Sequence, residues 1–150
     1  MAAKKTIKLL GEPIQNEDDK AAEAIVPGML VNYNGSGDLI KHAGAGLNAA
    51  AAFALEREEM GKDIDVAYAI GDAVKVGVFA PGCRVNALVA TAAPAIVKGD
   101  MLESAGNGTL RKAVANAAVA DTTRKGTIAR ALEALTNVSG VNQRLRIEII

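Results

Sequence analysis

The sequence predicts a mainly β fold, with a small β domain over residues 21–150, an extended N-terminal arm over residues 1–20, and at most one or two short helices. Three observations predict it. Between 64 and 78, Ile64, Val66, Tyr68, Ile70, Val74, Val76 and Val78 all fall on even positions, with Asp63, Asp65 and Lys75 between them. That is the period of a strand with one buried and one solvated face. The same alternation returns at the carboxyl end, where Leu145, Ile147 and Ile149 alternate with Arg144, Arg146 and Glu148, as suits a last strand closing a sheet or barrel. Turn-forming pairs such as Pro27-Gly28, Gly71-Asp72, Pro81-Gly82 and Gly99-Asp100 punctuate the chain between them.

Taken in order, residues 1–20 carry four lysines and four acids around one apolar cluster, Ile7-Lys8-Leu9-Leu10. The cluster is too small to fold alone, so it reads as an arm ordered where it lies on something, or as an edge strand of the same domain. Residues 24–43 have hairpin grammar, with Pro27-Gly28 and Asn34–Asp38 as turns. The stretch 46–60 is open between helix, which its alanines favour, and strand, which the Phe53 and Leu55 alternation favours. Val85, Ala87 and Val89 resume the buried register after Pro81-Gly82, and two paired antiparallel strands over 64–89 are the economical reading. Gly106-Asn107-Gly108 lies between two apolar stretches and reverses the chain where positive φ is needed. A phosphate-binding loop would need a following helix and a lysine followed by Ser or Thr at the proper spacing, and neither is present. Residues 113–120, the polar loop 121–126, and 127–135, open between helix and strand, lead to the last strand.

Composition narrows the function classes. The 17 basic residues equal the 17 acidic ones, so no global field draws in nucleic acid or an anionic membrane. The basic pairs Lys4-Lys5 and Arg124-Lys125 have no interleaved aromatics for base stacking. The N-terminal apolar run is too short for a signal peptide and no segment reaches the length of a membrane span, so synthesis in a cytoplasm is expected. The one cysteine, Cys83, reads as a packing residue and allows no internal disulfide. Only 3% of residues are aromatic while 30 are alanine; small side chains bury little area each, and oligomerisation would supplement such a core.

No catalytic, metal or cofactor site is expected. His42, the single histidine, reads as a surface or turn residue with no acid placed beside it for a triad. Asp63 and Asp65 share a face as glycosidase carboxylates can, but read as solvated outward residues. Asp19-Lys20-Ala21 is similar to a lipoyl attachment motif, although Lys20 lies in a charged, strandless arm. A lipoyl- or biotinyl-like carrier or ligand-binding domain therefore stays as an alternative. A virion-surface glycan-binding module is another, with Tyr33, Phe53, Tyr68 and Phe79 as the only aromatics to serve it.

From about Ala24 to the end, the chain resembles the head decoration, or capsid cement, proteins of tailed bacteriophages. The resemblance rests on AIVPGMLV, AAFALEREEMGKDIDVAYAIGDAVKV, APGCRVNALVA, VKGDMLESAGNGTLRKA, and ARALEAL followed by RLRIEII. It implies a β-barrel or β-tulip-like domain that assembles as a homotrimer on the outer surface of an icosahedral virion, made in the bacterial host, with the major capsid protein as partner. It also implies that ARALEAL is a strand and that the arm reaches onto the capsid. Lys4, Lys5, Ile7, Leu9 and Leu10 are the expected capsid contacts, and the small apolar stretch Ala49, Ala50, Ala51, Ala52 and Phe53 the expected trimer interface.

Overall fold

The computed structural model describes residues 5–90, 95–114, 126–136 and 140–150. The strands are β1 (Lys8–Leu10), β2 (Gln15–Lys20), β3 (Val31–Tyr33), β4 (Leu39–Lys41), β5 (Ala52–Ala54), β6 (Ala73–Val78), β7 (Arg84–Val89), β8 (Met101–Gly106), β9 (Thr109–Lys112), β10 (Thr127–Ala131) and β11 (Gln143–Ile149). The one helical element among the described residues is a single 3-10 turn, Glu58–Met60. The fold is mainly β, built on a closed five-stranded barrel.

The barrel runs β7-β11-β10-β8-β9, and β9 returns to β7 through the parallel pair Val89↔Leu110. Alternation along β11 dictates its placement: Leu145, Ile147 and Ile149 point inward with Val85, Ala87 and Val89 of β7. Ala87, Ala129 and Ala131 are essentially inaccessible there. A barrel of so few strands has a narrow interior, and small side chains suit such a taper. The alanine content is thus partly the filling of the barrel. The reversal at 106–108 joins β8 to β9, with φ of 82°, 54° and 74° at Gly106, Asn107 and Gly108.

A second core lies beside the barrel, under a three-stranded sheet β2-β6-β5 and the hairpin β3–β4. Tyr68, Val74, Val76, Leu39 and Ile25 fill it. β7 serves both cores, since Leu88 faces outward into this second one. That explains why β7 is buried on both faces beyond Arg84.

Several expectations need correction. Residues 8–10 pair with β7, and residues 15–20 pair in continuous register with β6. Ile7 is fully buried in the barrel core. The segment 5–20 is therefore part of the folded domain, as the edge-strand alternative had it, because the open edge of β6 needs backbone partners whatever the side chains. The charged run QNEDDK is well suited to remain at a sheet edge. Residues 64–70 form turns, so Val66 and Ile70 are exposed at 41% and 73%. The carboxyl groups win locally: Asp72 Oδ2 accepts from the Ala69 amide and Asp63 Oδ1 from the Ile64 amide. Nor do β6 and β7 pair with one another, because Pro81-Gly82 carries the chain from the small sheet into the barrel. Within 46–60 the strand is short, β5, and residues 127–131 are a strand, β10.

Candidate interaction surface

The outward residues of β11 set the geometry. Arg144 donates to the Pro27 carbonyl at 2.9 Å and to the Ile64 carbonyl, and sits 3.4 Å from Asp65. It ties the barrel to the turns over the second core. Burial is the largest influence on this guanidinium and pulls its pKa below the ordinary value, with Asp65 opposing. Arg146 Nε donates to Glu133 at 2.9 Å. Glu148 accepts from Arg84 Nε at 3.3 Å and from Arg130 Nε at 3.1 Å. The Arg130 hydrogen bond is the chief cause holding the Glu148 carboxyl below its ordinary pKa.

These pairs belong to one cross-strand row. Leu10 stands opposite Arg84, Arg84 opposite Glu148, Glu148 opposite Arg130, and Arg130 opposite Met101. The row crosses five adjacent strands on the outer wall of the barrel, about 19 Å at the usual inter-strand spacing. Leu10 and Met101 expose apolar surface at its two ends, at 53% and 38%. Arg84 and Arg130 side chains are 48% and 51% exposed around a largely covered Glu148. Alternation marked Glu148 and the apolar cluster at 7–10 included Leu10, but a row of this kind needs the strand order.

A cavity of about 440 Å³ adjoins β1, lined by Thr6, Lys8, Glu12, Glu56, Glu58 and Lys75 among others. Its groups serve the fold: Glu56 accepts from the Thr6 hydroxyl and the Ile7 amide, and Lys8 pairs with Glu12 at 2.8 Å. No cluster of three or more His, Cys, Asp or Glu placed to hold a metal occurs among the described residues.

His42 is buried, which corrects the surface reading. Its Nε2 lies 3.2 Å from the Asn48 carbonyl, which can only accept, so that nitrogen carries the proton and Nδ1 accepts from the Ser104 hydroxyl at 2.8 Å. Ser104 is fully buried and its Oγ also accepts from the Gly106 amide. The Gly108 amide goes to the His42 carbonyl. The amides of both turn glycines, Gly106 and Gly108, are thus occupied within the protein.

The expected contact residues divide. Lys5 and Leu10 are exposed, Leu9 is partly buried and Ile7 is inside the barrel; Lys4 lies outside the described residues. In the expected trimer stretch, Ala50 is exposed and Ala49 and Ala51 are partly buried against the barrel core, whereas Ala52 and Phe53 belong to the chain's own cores. Phe53 stacks edge-on with Phe79, so neither is available to a partner. Asp63 and Asp65 are exposed but lie on turns, and Lys20 ends β2 instead of topping a hairpin. Arg124-Lys125 and most of 113–120 fall outside the described residues. Tyr33 is exposed at 41%, the other three aromatics being buried. No helix among the described residues is long and apolar enough to cross a membrane. No family model matches the chain, and no curated protein matches it.

Proposed function

We propose that the chain is a structural virion protein, a decoration or cement protein that binds the outside of an icosahedral phage capsid as a homotrimer and stabilises the expanded shell. The reading rests on the resemblance of residues 24–150 together with one structural observation. Inside the fold, His42, Ser104 and Glu56 have structural partners, while arginine and apolar side chains gather on the outer wall of a closed barrel. A rigid wall of this kind suits a binding role, since a preorganised surface loses little freedom on docking. A protein that binds the assembled lattice better than free subunits stabilises the lattice by mass action. Three linked copies hold it at high effective concentration, so weak single contacts suffice.

Lys5 and Leu10, with the neighbouring Ile14 exposed at 72%, are the capsid contacts in this reading. Because Ile7 fills the barrel, deleting the arm would unfold the domain, and point variants are the right probe. Sedimentation with expanded empty shells tests it. The wild type should pellet with the shells, and Leu10→Asp with Ile14→Asp should weaken binding more than about tenfold, as loss of a central apolar contact does. A wild type that stays in the supernatant overturns the reading.

A further inference from the structure

We propose that the outer barrel wall docks on a second copy of this chain, with Arg84 and Arg130 of one copy meeting the acidic turn Glu58–Met60 of the next. The assignment rests on the self-association in the reading above and not on shell binding.

Charge is divided along the chain. Residues 1–78 carry 12 acidic and 8 basic side chains, whereas residues 79–150 carry 5 acidic and 9 basic. The small sheet and hairpin lie in the first part and the five barrel strands in the second. Among the side chains the structure describes the division holds, with 11 acidic and 7 basic up to residue 78 and 4 acidic and 7 basic after it.

On the basic side, two arginines share one carboxylate. Arg84 gives Nε to Glu148 and Arg130 gives Nε and Nη2. Both Nη groups of Arg84 and Nη1 of Arg130 have no partner among the described residues. A guanidinium fork with free donors takes a carboxylate in plane, and arginine is enriched where interfaces hold most of their energy. On the acidic side, Glu58 is exposed; its backbone carbonyl accepts from the Gly61 amide, and its carboxylate has no hydrogen bond or ion pair among the described residues. Glu59 is 66% exposed, with a single contact to Arg57 at 3.7 Å. Met60, exposed at 57%, gives this turn an apolar edge as Met101 does the wall. Each face thus combines charge with apolar area, and the charges are opposite.

Wall against wall would set Arg84 and Arg130 against their own kind, which costs affinity. Wall against turn uses two different surfaces, so it can be made once per neighbour in a ring whose rotation closes, or twice in a two-fold pair where each wall meets the other copy's turn. Three copies are compatible with that closure.

Size-exclusion chromatography with light scattering tests the assignment on the wild type, Glu58→Lys/Glu59→Lys and Arg84→Glu/Arg130→Glu. At about 0.1 M salt the wild type should have a multiple of the 15.4 kDa chain mass. Either charge reversal should bring it down to one chain, and an equimolar mixture of the two should restore association at least to pairs, because a reversed wall complements a reversed turn while a ring of three keeps one like-charged contact. At about 1 M salt, where the Debye length is about 3 Å, the wild type should dissociate in part. Arg84→Glu/Arg130→Glu also strips Glu148 of its partners, so circular dichroism checks its fold; if it is unfolded, Glu58→Lys/Glu59→Lys decides alone. A monomeric wild type, variants that keep the wild-type mass, or a mixture of folded variants that stays monomeric overturns the docking. Shell sedimentation of the same samples reads the other proposal separately: unchanged mass in Glu58→Lys/Glu59→Lys with shell binding intact sinks the docking alone.

Discussion

Ser104 and Tyr68 carry the two buried hydroxyls with the clearest energetic consequences. Ser104 satisfies both His42 Nδ1 and the Gly106 amide. Ser104→Ala leaves two buried polar groups without a partner and should cost about 1–3 kcal/mol in urea denaturation. Tyr68 donates to the Leu55 carbonyl at 2.7 Å, and burial pushes its phenol up to about 12. In the unfolded chain it titrates near 10, so the folded state holds the proton more tightly. That contribution to stability is complete below about pH 10 and is lost as pH rises through about 12. Urea midpoints should show this alkaline loss, and Tyr68→Phe should remove that component of it. The alternation announced Tyr68, whereas the buried His42–Ser104 pair was not legible: His42 stands among glycines and alanines, and what covers it arrives from β8, 62 positions away.

Strands and turns differ in how well their sequences announce them. β11 is legible because every second side chain enters the barrel, and the 106–108 reversal because its three residues all require positive φ. β2 is not, since it is held through its backbone at a sheet edge, where side-chain pattern is free to vary. Turns held by aspartates are also stability elements. Asp72 accepts from the Ala69 amide and pairs with Lys62 at 3.1 Å; Asp100 accepts from the Val97 amide and pairs with Lys112 at 2.9 Å. In each case the backbone hydrogen bond is the chief cause lowering the carboxyl pKa. A depressed folded value means that the stabilisation is present above the unfolded pKa, near about 4, and is lost as pH falls through the folded one. Urea midpoints should therefore decline below about pH 4, and Asp72→Asn with Asp100→Asn should make that decline shallower. Arg144 joins elements directly, and Arg144→Met should cost about 1–3 kcal/mol by leaving the Pro27 and Ile64 carbonyls unmet. Arg144→Lys should recover little of this, because an ammonium cannot reproduce the planar fork.

For the whole molecule, closure is the decisive property. Closure leaves the five barrel strands no open edge to pair with another chain, so association through the barrel is left to side-chain surfaces such as the outer wall. Light scattering at a mass near three times 15.4 kDa is the expected result for the wild type. A single-chain mass would remove both the trimer and the docking on a second copy, while leaving the fold as described.

The sequence alone determined that the chain is mainly β, where β11 and the 106–108 turn lie, and that Cys83 and Tyr68 pack inside. Those properties follow from local physics, the two-residue period of a strand and the conformational demands of a turn. Only the tertiary structure decided that β9 closes the barrel on β7, that residues 5–20 complete both sheets, and that positions 84, 130 and 148 meet on one wall. Those depend on which strands become neighbours, and pairing between strands distant in sequence leaves no mark on the alternation within either one.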